Sequence, residues 1–454
     1  MNRPKKTAAA ALIAFALSCI PSAAMAVKPP TAAERRQAAS MCREPDGLRE
    51  TASGDPIVKV TAPPVDVARR IIFFPLELPA WVLRLATLPV GMLFDLVEKN
   101  RVAERVADAL SNKEKTIWAY PIIEGGLGSG FGGGAGFNAV NLFGKGVNVK
   151  LTYKNHINLS QSASAAAGKP DAFELIGRPV SLAGRVEWSR PTDQAYYGIG
   201  PSTTQSMLGS YMENETVVGA GAAWEFFPGL TINTGLAYDV ATTGQNTHGS
   251  GPAVDTAFPP WAIPGFGGWI HYLVPGLKLQ YDTRDNVSLP TGGGIYTASV
   301  SRYQSLGSGD YSFNQYELDA RHFFRLWRPR MVFVLHGGIV AQQETGGGEI
   351  PFYRLATLDV NSPLRGFNAG RFRDRNLIVL NAEYRFPVWD ALDGVLFFDT
   401  GRVFHSFSDF TVNDFKYSGG GGLRLRALGL MLLRFDLAYG GEGIKTLVGI
   451  SKSL

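Results

Sequence analysis

Residues 423–440 read LRLRALGLMLLRFDLAYG. Leu423 and Leu425 alternate with Arg424 and Arg426, and Leu433, Phe435, Leu437 and Tyr439 then alternate with Arg434 and Asp436. Successive side chains of a β-strand point to opposite faces, so each run builds one apolar and one charged face. The texture repeats upstream. Val147, Val149, Leu151 and Tyr153 oppose Asn148, Lys150, Thr152 and Lys154; Leu277, Leu279 and Tyr281 oppose Lys278, Gln280 and Asp282; Tyr316, Leu318 and Ala320 oppose Glu317, Asp319 and Arg321. From about Lys115 to Leu454 such runs are separated by Gly, Asn, Asp and Pro clusters, with no second texture to mark a domain break.

Alternation alone admits a soluble sandwich, whose apolar face would form a core. Export tips the balance. The first 26 residues read as a basic start, an apolar stretch from Ala8 to Ile20 and a small-x-small site at Ala24-Met25-Ala26, which is the form of a secretory signal. Transmembrane barrels use strands of about 9 to 11 residues, apolar outward and polar inward, in even numbers. Residues 116–454 therefore predict an all-β transmembrane barrel of about 16 antiparallel strands, at roughly 21 residues per strand and connection. Fifteen strands count directly, and Ala172 to Trp188 is the ambiguous place for another.

Composition agrees with a barrel. Glycine is 53 of 454 residues and charged residues are 18%, against averages near 7% and 25%. The run GGLGSGFGGGAG, Gly125 to Gly136, contains GxGxxG without the strand-turn-helix context of a dinucleotide site, and reads as a glycine-rich early strand that bends or pairs weakly.

The formal charge is +5, but Arg3, Lys5 and Lys6 lie in the signal, leaving 41 basic and 39 acidic residues. There is no basic run with interleaved aromatics, so no nucleic-acid partner is expected. Cys19 lacks the usual lipobox spacing, and Cys42 is then the lone mature cysteine, so no internal disulfide forms.

Residues 27–115 lack the strand rhythm. Ile71 to Val97 is long enough to span a bilayer but contains Pro75, Pro79, Pro89, Glu77, Arg84 and Asp95. Charges at mid-bilayer cost about 2.5–3.5 kcal/mol each, which favours short amphipathic helices in a periplasmic or interfacial segment. A helical stripe of Leu96, Val97, Val102, Val106 and Leu110 continues it. The expected domains are thus a signal at 1–26, a helical segment at 27–115 and a barrel at 116–454.

No catalytic motif stands out. The six histidines include no pair three or four apart, and GxSxG and P-loop patterns are absent, so no enzyme activity, metal or cofactor is expected. Ser, His and an acid brought together from distant strands, a membrane-embedded hydrolase, is the remaining enzymatic alternative.

Residues 344–376, ETGGGEIPFYRLATLDVNSPLRGFNAGRFRDRN, form an unusually long connection, and long loops are usually functional or folded on themselves. At its centre stand Leu364, Arg365, Gly366 and Phe367; NAEYRFP follows at Asn381–Pro387 and FFDTG at Phe397–Gly401, while YDTRDNVSLPTGGG precedes at Tyr281–Gly294. Taken in order, these segments resemble the signature loop and strands of the Omp85 superfamily, outer-membrane assembly and translocation barrels. Five strands follow the loop, as in that family's 16-stranded barrels.

The resemblance covers 116–454 and implies a Gram-negative outer-membrane location and a loop turned into the barrel. Alternation places Asn381, Glu383 and Arg385 on one face, with Glu383 toward the lumen, and Phe397 with Asp399 on one face of the next strand. Arg365 could then meet Glu383 and Asp399 in charge-assisted hydrogen bonds, Gly366 would let the backbone turn sharply, and Phe367 would fill lumen space. Phe398 and Gly401 complete the strand motif.

Residues 27–115 show no βαββ module, so the resemblance is to the subgroup without periplasmic POTRA domains. The terminal KTLVGISKSL also lacks the closing aromatic common in such barrels. The implied role is assistance in outer-membrane protein or lipid insertion or transport by a monomeric barrel. Its implied partners are outer-membrane lipids, protein clients or a periplasmic partner. A gated or passive pore is the alternative.

Overall fold

The computed structural model describes residues 110–449 except 113, 127–129, 247–250, 308, 329, 360–363 and 428–429. The signal and nearly all of the helical segment expected at 27–115 lie outside the described residues. At its end, Ser111 bridges to Trp118 and the Asn112 side chain accepts from the backbone N–H groups of Thr116 and Ile117, turning the chain into the first strand.

The strands, in chain order, are β1 Ile117–Gly126, β2 Gly130–Leu142, β3 Val147–His156, β4 Gln161–Leu175, β5 Arg178–Arg190, β6 Gln194–Tyr196, β7 Gly209–Phe227, β8 Leu230–Gln245, β9 Ile270–Asp282, β10 Gly293–Ser305, β11 Phe313–Arg325, β12 Val332–Glu344, β13 Ala356–Leu358, β14 Phe372–Asp374, β15 Asn376–Trp389, β16 Leu392–Phe404, β17 Lys416–Ala427, β18 Leu430–Gly440 and β19 Gly443–Gly449. Three of these are short. β6 adds to the end of β7, and β13 pairs with β14 inside the long loop. The other sixteen run as an antiparallel meander, each bonded to the next. The ambiguous stretch resolves as β4 and β5 meeting at Ile176–Gly177. β1 and β19 lie side by side, with no ladder between them among the described residues.

One end of this sheet has short turns, such as 143–146, 176–177 and 390–391, and the other carries the long connections 246–269 and 345–375. Since barrels of this kind keep short turns in the periplasm and long loops outside, the short-turn end is periplasmic. The outer face is apolar: Leu380, Leu396, Phe398, Tyr417, Leu437 and Tyr439 are all exposed on it. Around the periplasmic edge, Tyr281, Tyr296, His322, Phe324 and Phe333 form a chain of ring contacts, the aromatic girdle that sits at headgroup level.

The glycine-rich run is a correction. It spans a hairpin rather than one weak strand, and β2 pairs with both β1 and β3. Its glycines relieve crowding: a Cβ on Gly136 would fall 2.2 Å from the Tyr120 ring, which is buried on the inner side of β1.

Candidate functional site: an arginine loop inside the barrel

The 345–375 loop folds on itself and then into the barrel. β13 and β14 pair antiparallel with Leu358 opposite Phe372, and Leu358, Leu364, Phe367 and Phe372 make a small core with Leu377 and Val379 of β15 and Val403 of β16. Burying several such side chains contributes about 1.5–3 kcal/mol each, which fixes the loop before any charge is considered. At the tip, the Phe367 N–H donates to the Leu364 carbonyl, closing a turn with Arg365 and Gly366 in the middle.

Arg365 is fully buried. Its Nε donates to Asp399 Oδ2 at 2.8 Å, Nη2 to Asp399 Oδ1 at 2.7 Å and Nη1 to Glu383 Oε2 at 3.0 Å, while its backbone N–H reaches Asp399 Oδ2 at 3.2 Å. The two-pronged contact with Asp399 is the strong planar geometry open to Arg and closed to Lys. The guanidinium also lies 3.5 Å from the centre of the Phe397 ring, a cation–π contact. Burial works to lower the pKa of this group. The Asp399 hydrogen bond and the charges of Glu383, Asp399 and Asp436 outweigh that and hold it above its ordinary value.

The cluster extends across the wall. Asp436 on β18 lies 3.7 Å from Arg365 and accepts from Arg424 of β17 and Arg434 of its own strand. Glu383 also accepts from Arg385 at 2.8 Å, and Asp399 from Asn381 at 2.9 Å and Ser418 at 3.3 Å. Three carboxylates and four guanidiniums thus share a dry volume. Such networks contribute little net stability over an apolar core, but removing one member strands the others, at about 3–5 kcal/mol.

Gly366 is needed for a different reason from the one expected. Its φ is not positive, so the turn does not demand glycine. A Cβ there would fall 2.6 Å from Ser418 Cβ and 2.8 Å from Gly440 Cα, because two backbones touch where the loop tip meets β18. Gly401 serves the loop as well: a Cβ would meet Leu358 at 2.9 Å. Phe367 packs on Phe372, whereas Phe398 faces outward beside Tyr417.

Sequence reasoning missed three more anchors. Arg354 binds Glu215 of β7 at 2.7 Å and Asp239 of β8 at 2.9 Å. Arg371 pairs with Glu442 in the β18–β19 turn and with Thr203, and Arg373 donates to the Tyr211 hydroxyl at 2.9 Å. Burial again opposes the charge on Arg354, and its carboxylate partners again raise its pKa above the usual value. The readable signal was density: the loop holds five arginines, at 354, 365, 371, 373 and 375. Among the described residues no group of three His, Cys, Asp or Glu side chains is arranged to hold a metal.

The meander, the outward apolar band and the inward charged loop define a transmembrane β-barrel of the outer-membrane type. Residues 141–446 match the model of the Omp85 superfamily domain, and the chain belongs to that superfamily. Among solved structures, BamA from Haemophilus ducreyi lacking POTRA domains 1–3 shares the fold at TM-score 0.57 and 16% identity, over 73% of this chain and 69% of that one. CdiB from Escherichia coli aligns at TM-score 0.50 and 11% identity, over 74% of this chain and 63% of that one. Among curated proteins there is no match.

Proposed function

We propose that this chain is a non-enzymatic outer-membrane barrel that assists insertion or transport of outer-membrane proteins or lipids, with the 345–375 loop as an inward lock. The supporting observation is Arg365, fully buried and hydrogen-bonded to Glu383 and Asp399 on two neighbouring strands. A loop tied to the last strands can stiffen that wall and leave the junction of β1 and β19 as the compliant place where a client strand or lipid enters. Unpaired edge groups are what such a place would offer.

A gated pore is the second reading, favoured by the inner face of β5, where Arg185 and Glu187 keep about half of their side-chain surface exposed. Planar-bilayer conductance of refolded wild type beside Arg365→Ala tests both readings, with heat-modifiable gel mobility confirming that each is folded. Small, flickering wild-type currents that become large and steady in the variant support the lock and the gate. Equal open-pore currents reject the lock. Folded but silent protein of both kinds rejects the pore, and insertion of a urea-unfolded barrel client into liposomes then tests the assembly reading directly.

A further inference from the structure

Arg302 faces the membrane, not the lumen. On β10 it follows Tyr296, Ala298 and Val300 along the outer face, while Thr297, Ser299 and Ser301 point inward. Its ladder partner Asn314 on β11 and, beyond that, Gln343 on β12 lie on the same face, and the next pair below, Val300 and Tyr316, is apolar and exposed. A lipid-facing arginine is costly at the bilayer midplane and close to neutral at the interface. Arg302 meets that condition: it stands three residues before the end of β10 at Ser305, at the end of the barrel that carries the 345–375 loop and is therefore extracellular. Tyr238 of β8 and His271 of β9, hydrogen-bonded at 2.6 Å, mark the same polar level on the neighbouring strands.

The guanidinium is held but not neutralised. Nη1 donates to Asn314 Oδ1 at 3.2 Å and to Thr345 Oγ1, and Nη2 donates to Gln304 Oε1 at 2.9 Å. All three acceptors are uncharged. The acids of the adjoining strands and loop are engaged elsewhere: Glu317 faces the lumen and accepts from Ser299 and Gln315, Glu344 pairs with Arg375, and Asp310 accepts from the Ser312 N–H. Among the described residues no carboxylate forms an ion pair with Arg302. A guanidinium has five N–H donors, so these contacts leave one on Nε and one on Nη2. Two donors are what a phosphate takes in a bidentate contact.

Toward the membrane centre the same strands are shaped for a chain. Leu318, Ile339 and Leu380 flank a floor of Ala298, Ala320 and Gly337, and the groove between them has a volume of about 520 Å³. Ala298 is four residues from Arg302 on one strand face, about 13 Å at about 3.3 Å per residue, so a single lipid reaches both.

We propose that this wall binds a phosphate-bearing lipid of the outer leaflet, with its phosphate on Arg302 and an acyl chain in the groove. The site needs neither the lock nor the assembly reading. Charge complementarity selects the headgroup: the carboxamides of Gln304, Asn314 and Gln343 suit any polar group, whereas the unpaired cation prefers an anion.

The experiment is native mass spectrometry of the refolded chain in neutral detergent, titrated with dioleoyl phosphatidate, dioleoylglycerol or inorganic phosphate, with heat-modifiable gel mobility confirming that each variant is folded. Wild type is expected to prefer phosphatidate to dioleoylglycerol. Arg302→Gln should weaken phosphatidate binding roughly fivefold or more and leave dioleoylglycerol unchanged. Ala298→Phe, which fills the groove and keeps the cation, should weaken both lipids, and Arg185→Gln, on the inner wall, should match wild type.

A wild type without preference for phosphatidate, or equal phosphatidate binding by wild type and Arg302→Gln, overturns the proposal. So does an equal loss in Arg185→Gln, which marks a response to net charge rather than a site. Inorganic phosphate binding that depends on Arg302, with no preference between the lipids, assigns the site to free phosphate and overturns the lipid. If Arg302→Gln does not fold, Ala298→Phe decides, since a groove-filled barrel that binds phosphatidate as well as wild type overturns the proposal by itself.

Discussion

The two halves of the barrel follow one rule, apolar outward and polar inward, and arrive at different interiors. On β15–β18 the inward charges Glu383, Asp399, Arg424 and Asp436 are all essentially buried. On β5 the inward Arg185 and Glu187 sit 3.8 Å apart with 57% and 49% of their side-chain surface exposed. Strand patterning does not distinguish them; the loop that covers one wall and leaves the other wet does. A charge on the wet wall is screened and contributes about 0–1 kcal/mol as a pair, whereas on the covered wall each charge depends on its partners.

Removing Arg365 is the largest way to break this contrast. Arg365→Ala leaves Glu383 and Asp399 buried without their main cation and should cost about 3–5 kcal/mol, read as a lower urea midpoint for unfolding from liposomes. Arg365→Lys should recover only part, since an ammonium cannot make the two-pronged contact with Asp399. An Arg365→Ala midpoint equal to wild type would show that the covered wall behaves like the wet one.

Gly440→Val drives two methyl groups into the Gly366 backbone. A loss of about 1–3 kcal/mol is expected, with faster protease cleavage of the loop. Arg354→Ala, in the same loop but outside the Arg365 cluster, should still lower the midpoint, because Glu215 and Asp239 lose their common partner; about 1–3 kcal/mol is expected for a partly buried site.

At the small end, Arg185→Ala should shift stability by less than about 0.5 kcal/mol. A comparably small case is the β9–β10 turn. Asp285 is partly desolvated, which alone would raise its carboxyl, but hydrogen bonds from Thr291, Gly292 and Arg325 lower it to about 2. A depressed carboxyl contributes stability above its unfolded value, and the contribution fades as pH falls toward about 2. Asp285→Asn should therefore match wild type at the acid end and be slightly weaker at neutral pH, as measured by unfolding midpoints across the range.

Alternation carries information about face, which is why the charges of the 423–440 stretch, Arg424, Arg434 and Asp436, could be placed on a common polar side before any contact was known. It carries nothing about depth. Arg185 and Arg424 look alike in sequence, and only the loop's path, set by contacts between residues far apart in the chain, makes one wet and the other dry. The Gly366–Gly440 contact is of that kind: neither glycine sits in a local pattern that demands it. Arg354, Arg371 and Arg373 were legible as an excess of one residue type but not as anchors, since their partners on β7, β8 and the β18–β19 turn belong to no shared motif.

The position of the loop within the chain has a kinetic meaning. Arg365 precedes every acid it is paired with: Glu383 comes first, then Asp399, and last Asp436 on the penultimate strand. A barrel assembled in chain order holds this guanidinium without its full set of counter-charges until β18 has been laid down. Completion of the charge cluster then coincides with near-completion of the wall, and under the proposed lock the loop would close only as the last hairpin arrives.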